Sequence, residues 1–373
     1  SHYENANFTV ETPRVEALKA YWDWLDSMAV PEPQARDHSW PAVRPAQPVA
    51  VAETIAFNGI TLPAVVFSPT SAPGQSIEDR LTAAIDASKK SVDVSIFALR
   101  STRIAEALIR AHARGLTMRL IIDEGQSASA PFGAFAQALL AAGMEVRVLA
   151  GPDPNSDFPL AQKSHHKFAI FDGKLVETGS ANFTKYAAMA NFENAHFLDH
   201  AKDVAGYKWI YERMYARAKL LAPSGPAPTL PSDAELIEES RKQPPPPPLR
   251  PQHPGPDPSV KPARAVGFNG AVLPSFAFRP DTAIEPLIVK AVDSAQKSVR
   301  LALYEFNLDD IMAALRRAKE RKLKIEIVID RSHVYTTGKD STGRPRKPSQ
   351  EIQALIKEGF DVLILKGEKS GIM

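Results

Sequence analysis

The chain has 373 residues, 44% of them apolar and 24% charged, and a formal net charge of +2. That is a globular composition, long enough for two domains. No apolar run reaches the roughly 18 residues of a membrane span, and the charge is too small to argue for nucleic acid by itself. Cysteine is absent, which excludes a disulfide framework, a thiolate metal site and a cysteine nucleophile. Such a chain suits a bacterial protein in any compartment, with a lean towards a periplasmic or secreted one.

In chain order, an amphipathic helix is expected over 15–28, where Tyr21-Trp22-Asp23-Trp24 reads as core or interface. Residues 30–50 are punctuated by proline and read as a linker. A hairpin-like start at Phe57-Asn58-Gly59 leads to a helix over 77–89 and to strands over 91–97, 116–123 and 143–149. The apolar run 168–171 reads as a short buried strand. A second linker covers 223–263 and includes the polyproline run 244–248, a semi-rigid spacer. From Phe268-Asn269-Gly270 the pattern begins again, with a helix over 284–296 and strands over 298–304, 323–330 and 359–365. Strands alternating with helices predict an α/β fold, a mixed β-sheet flanked by helices. The repeat distance exceeds 200 residues, which indicates a duplicated domain rather than a solenoid.

One stretch carries chemistry. His165, Lys167, Asp172, Gly179, Ser180 and Asn182 stand in the pattern H-x-K-x4-D-x6-G-S-x-N. On a strand, His165 and Lys167 project the same way, and Ser180 and Asn182 share the same two-residue offset. A nucleophile active at neutral pH, a cation and two small donors then enclose a phosphate-sized space. A neutral imidazole suits attack on an anionic phosphodiester, and Lys167, Ser180 and Asn182 would stabilise the charge that builds on the phosphoryl oxygens. His166 points the other way and reads as a packed or surface residue without a catalytic part. No His, Asp or Glu cluster has metal-ligand spacing, so neither metal nor cofactor is expected.

The pattern resembles the HKD motif of the phospholipase D superfamily, and Glu193 stands eleven residues after Asn182, where the family's small nucleases and lipid hydrolases carry a glutamate. The resemblance implies a phosphodiesterase acting through a phosphohistidine, closest to bacterial endonucleases and cardiolipin hydrolases, with catalytic residues His165, Lys167, Asp172 and Glu193, of which Asp172, at a strand end, also reads as a support of the pocket's architecture. Glu193 is the expected partner of the His165 ring, and Lys167, Ser180 and Asn182 are the phosphate ligands. Nucleic acid is slightly favoured as substrate over a phospholipid head group. The family's site takes a second histidine from another copy of the motif.

The expected domains are a C-terminal tail of one copy at 1–29, a complete copy at 51–222 and the N-terminal part of another at 264–373. Three arrangements fit: a window from a longer array, a circular permutant, or a sequence lacking one block. The second motif would then come from a missing segment, a longer chain or a homodimer mate. Glu4 matches Glu193 in that other copy and is expected where the second histidine belongs. A basic loop (Lys339, Arg344, Arg346, Lys347) is a further phosphate-contact candidate. The competing reading is a scaffold without catalysis that docks partners through its proline-rich linkers.

Overall fold

The computed structural model describes residues 4–32, 34–36, 47, 53–70, 72–128, 133–151, 163–225, 228–232, 234–235, 263–306, 308–335 and 349–367. Most of both linkers and the four basic loop residues lie outside this set. Strand β1 (Asn5–Asn7) leads into helix α1 (Thr12–Asp26), whose first turn holds Pro13, where a missing N–H costs nothing. Strand β2 (Thr54–Phe57) turns back on β3 (Ile60–Pro63) at Asn58-Gly59, with φ of 47° and 95°, as a two-residue I′ turn demands. After β4 (Val65–Ser68), helix α2 (Ile77–Ala87) opens with a capping box between Ser76 and Asp79.

Strands β5 (Ser91–Ile96) and β6 (Leu99–Arg100), helix α3 (Thr102–Ala113) and β7 (Thr117–Asp123) follow. Next come α4 (Glu124–Ala128), α5 (Gly133–Ala141) and β8 (Glu145–Leu149). The motif region supplies β9 (Lys167–Phe171), β10 (Leu175–Gly179), β11 (Phe183–Thr184), α6 (Lys185–Met189) and β12 (Glu193–Leu198). Helix α7 (Ala201–Arg217) and β13 (Lys219–Leu220) complete this half. The plan then repeats. A hairpin of β14 (Ala265–Phe268) and β15 (Ala271–Pro274) precedes β16 (Phe276–Phe278), the helix Ile284–Ser294 and β17 (Ser298–Leu303). The helix Asp309–Glu320, β18 (Lys324–Asp330), the helix Gln350–Lys357 and β19 (Asp361–Leu365) follow.

Eight strands form one mixed sheet in the order β13-β8-β7-β5-β9-β10-β12-β4, with β5, β7 and β8 parallel. The second half forms a parallel sheet β17-β18-β19. Its β16 pairs with the N-terminal β1, and the register repeats: Asn5 lies opposite Phe278 as Asn194 lies opposite Phe67. The chain's first strand thus takes, beside β16, the place that β12 takes beside β4.

Two helices lock the halves together in mirrored fashion. The α7 residues Tyr207 and Tyr211 pack on Phe168 and Ile170 and, across the seam, on Phe276 and Phe278. A Cβ at Gly206 would meet the Phe276 ring at 2.0 Å, so only glycine permits this approach. Helix α1 does the converse, placing Tyr21, Trp22, Trp24 and Leu25 against Val328 and Leu365 of one half and Val65 and Phe67 of the other. Tyr21 lies flat on Phe67, with centroids 4.1 Å apart.

The structure corrects the expectation for Asp172. It follows the last residue of β9, while Lys167 is the first, so the two are about 16 Å apart along an extended strand. Its φ of 52° makes it, with Gly173, the β9–β10 turn. One carboxylate oxygen accepts from the amides of Lys89, Lys90 and Ser91, and the other from Asn58 Nδ2 at 2.6 Å. Partial burial works to raise its pKa, but the amides of Ser91, Lys89 and Lys90 and the Asn58 side chain outweigh it and hold the carboxyl below its ordinary value. Asp172 is a clamp between β2–β3, β5 and β9.

Replacing Asp172 with alanine should therefore cost about 1–3 kcal/mol of stability and leave kcat unchanged, measured by denaturant unfolding beside an activity assay. Because the folded pKa is depressed, the carboxylate's contribution is full above its unfolded value, about 3.9. It is lost as pH falls through the folded pKa.

Candidate active site

β9 starts at Lys167 because β5 offers an antiparallel partner from Ile96 onward, and Phe97 N continues the ladder to His166 O at 3.0 Å. That pairing holds the backbone on either side of His165. Lys167 Nζ lies 3.1 Å from His165 Nε2 and donates to the His165 carbonyl at 2.9 Å. His165 Nδ1 lies 2.8 Å from Glu4 Oε1. A carboxylate there only accepts, so it fixes the proton on Nδ1 and leaves the Nε2 lone pair facing the ammonium. Phe97 meets the imidazole edge-on, its centroid 4.8 Å away, and Lys167 Nζ lies 5.6 Å from the same ring.

Glu4, His165 and Lys167 line a cavity of about 480 Å³ at the seam between the halves. Ser180, Asn182 and Glu193 close it on one side and Tyr304, at the end of β17, on another. Asn182 uses its carbonyl to accept from Ala98 N at 3.3 Å, which leaves its NH₂ as a donor. Ser180 Oγ donates to Glu193 Oε2 at 2.5 Å and accepts from Asn194 N at 3.0 Å.

Here the structure overturns the expected pairing of Glu193 with His165. Glu193 starts β12 between β10 and β4, and its two oxygens go to Ser180 and to Asn191 Nδ2 at 2.9 Å. The carboxylate on His165 is Glu4, carried in by β1 from the far side of the seam. Glu4 was expected near the place of a second histidine; its partner is the first.

Burial sets the electrostatics. It pushes Lys167 down to about 8, against the opposing pull of Glu4 and Glu193. It pushes Glu193 up to about 7, although Ser180, Asn191 and Lys167 favour its charge. Burial also works to raise Glu4, but the His165 hydrogen bond and the charges of His165, Lys167 and His166 hold it below the ordinary carboxylate range. His166 is fully buried beneath the site, its Nδ1 3.1 Å from Asn5 Oδ1, and burial lowers its pKa to about 3. It is packed, as expected.

Asn5 in turn donates to Thr178 Oγ1 at 3.0 Å, and Tyr207 OH donates to Asn7 Oδ1 at 2.8 Å. This buried network sets the register of β1 and so delivers Glu4. Sequence reasoning missed Asn5, Phe97 and Tyr304. The repeat held the signal for the last two, since Phe97 and Tyr304 end matching strands. Among the described residues no group of three or more His, Asp and Glu is placed to hold a metal ion, and no helix is long and apolar enough to cross a membrane.

Fold and site together define a duplicated α/β protein of the phospholipase D type. Residues 81–215 and 288–373, more than half of the chain, match the family described as cardiolipin synthase, PLD-like domain, and the chain belongs to that family. A mitochondrial cardiolipin hydrolase of Xenopus tropicalis is 32% identical over 127 residues, 34% of this chain and 55% of that protein. A phospholipase D of Rickettsia bellii is 29% identical over 146 residues, 39% of this chain and 65% of that protein. The chain thus spans only 55% and 65% of the length of these two curated relatives. Among solved structures, phosphatidylserine synthase of Haemophilus influenzae shares the fold at 13% identity and a TM-score of 0.51, over 83% of this chain and 74% of that one. The phospholipase D family member Nuc of Salmonella typhimurium is 27% identical, over 42% of this chain and 95% of that one, with a TM-score of 0.36.

Proposed function

We propose that the chain carries a phosphodiester-cleaving site in which His165 is the nucleophile. The observation behind this reading is an imidazole held on Nδ1 by Glu4, with Nε2 set against a buried ammonium. Nε2 attacks phosphorus, the bond to the leaving oxygen breaks, and the imidazole becomes a phosphohistidine whose positive charge Glu4 stabilises. Lys167 and the Asn182 NH₂ receive the charge on the phosphoryl oxygens, while the Ser180 hydroxyl, expected to do the same, is committed to Glu193. Water then releases the phosphate monoester and restores His165.

The leaving alkoxide needs a proton. Glu193 has beside β4 the position that Glu4 has beside β16, and in this reading it holds a second imidazole. That imidazole belongs to another copy of the motif, in a longer chain or a second molecule. The leading substrate is a phospholipid head-group ester. The relatives are named cardiolipin hydrolase and phospholipase D, and the cavity sets two glutamates beside one lysine, a poor lining for a long polyanion.

Two results test the mechanism in the full-length protein. Acid-labile, base-stable phosphoryl label should be trapped on His165 during turnover of bis(p-nitrophenyl) phosphate, and EDTA should leave the rate unchanged. Inhibition by EDTA that a divalent ion reverses would refute a reaction run by His165 and Lys167 alone. The profile of kcat/KM should also fall above about pH 8 as Lys167 loses its charge. A flat profile to pH 10 would remove Lys167 from charge stabilisation.

A further inference from the structure

Asp123 ends β7, two strands away from β9 in the sheet, and is 4% exposed. Both its oxygens serve backbone. Oδ2 accepts from the amide of Ser164 at 2.9 Å, and Oδ1 accepts from the amide of Gln126 at 3.1 Å, at the start of α4. Ser164 is 1% exposed and immediately precedes His165. On the other flank, the His166 carbonyl is held by Phe97 N. His165 is therefore suspended between two fixed backbone points, one of them set by a carboxylate.

Placing a carboxylate there is costly, since burial pushes it up to about 6 against the amides of Ser164, Gln126 and Gly125 and the charge of Lys163. A carboxylate only accepts and so cannot flip, whereas an amide side chain would turn an NH₂ towards one of the two N–H groups. The second half ends its matching strand with Asp330, 1% exposed. The same buried acid thus recurs at the ends of β7 and β18, where each strand runs into a short helix.

We propose that Asp123 is a positioning residue: by fixing the Ser164 amide, it sets the point from which the His165 imidazole reaches phosphorus. The proposal rests on His165 being the nucleophile. Asp123 touches no substrate and acts through the backbone alone.

Two variants of the full-length protein test it with bis(p-nitrophenyl) phosphate. Asp123→Asn should lower kcat by on the order of 10- to 100-fold with KM unchanged, and the ¹⁵N signals of the His165 ring should shift. Gly125→Ala is the gentler probe. A Cβ there would meet Asp123 Oδ1 at 3.2 Å and push it by a few tenths of an ångström, while alanine in a helix favours folding. It should lower kcat with an undiminished melting temperature, an outcome that a merely structural role for Asp123 does not give.

Wild-type kcat and an unmoved His165 spectrum in Asp123→Asn would overturn the proposal. If that variant does not fold, wild-type kcat in Gly125→Ala overturns it instead. Turnover that survives in His165→Ala would sink the nucleophile assignment itself. An inactive His165→Ala beside a fully active Asp123→Asn would sink only the positioning role.

Discussion

Replacing His165 with alanine should lower kcat for a phosphodiester by on the order of 10⁴- to 10⁶-fold, with the fold intact. The size follows from the setting of His165, the imidazole bonded to Glu4 and set against Lys167, whereas His196, which also lines the cavity, stands on β12 opposite Val65. Ser180 commits its hydroxyl proton to Glu193, and its oxygen already accepts from Asn194 N. His166 is adjacent in sequence but buried beneath the site with its ring on Asn5, and strand alternation keeps it there. Lys167 is charged below about pH 8 and supplies attraction rather than a lone pair. Its replacement by alanine should cost on the order of 10²- to 10³-fold, the scale of one lost donor to a developing oxyanion. The measurement is kcat for bis(p-nitrophenyl) phosphate together with a melting temperature. His165→Ala at wild-type rate would remove the nucleophile assignment, and Lys167→Ala costing more than His165→Ala would invert the roles.

Residues tied by local geometry were legible in the sequence, and residues tied by packing were not. His165 stands two residues before Lys167, the first residue of β9, on backbone that the Phe97–His166 bond holds in line with the strand, so their common side follows from the two-residue spacing. The duplication was equally plain, since Asn58-Gly59 and Asn269-Gly270 reappear with the same positive φ and the same strands around them. The partner of His165 was a different matter. An eleven-residue offset places Glu193 on β12 but says nothing about which imidazole it meets. That depends on β1 docking on β16, as Asn5 does on Phe278, far away in the sequence, and on the Asn5–Thr178 and Tyr207–Asn7 bonds that fix its register. Asp172 was misjudged for a related reason. Its Asp-Gly pair is a hairpin signal in its own right, and the turn, not the pocket, accounts for it. Asp123 and Asp330 were visible as matching strand ends, but only the bond to Ser164 shows what such an acid does.

Replacing Glu4 with glutamine should lower kcat by on the order of 10⁴-fold whatever the leaving group. Glu4 does two things for His165 that an amide cannot. As an acceptor without a proton it keeps hydrogen on Nδ1, so Nε2 carries the lone pair that attacks; a glutamine can present NH₂ and invert the tautomer. As an anion it stabilises the imidazolium that forms when Nε2 takes the phosphoryl group. Glu4 is held below the ordinary carboxylate range, so it stays charged as pH falls, and an acid limb in the rate has to come from another group. Glu193→Gln supplies the contrast. If Glu193 orients a second imidazole that protonates the leaving group, its loss should hardly affect p-nitrophenyl esters, because p-nitrophenolate departs without a proton. It should be severe for an alkyl ester such as a phospholipid head group. The test is therefore a ratio: the rate loss with an alkyl ester divided by the loss with a p-nitrophenyl ester, near one for Glu4→Gln and large for Glu193→Gln. Equal ratios in the two variants would mean that the carboxylates do not divide the two half-reactions between them. A reversed pattern would return the His165 ring to Glu193, against the 2.8 Å contact that Glu4 makes with it.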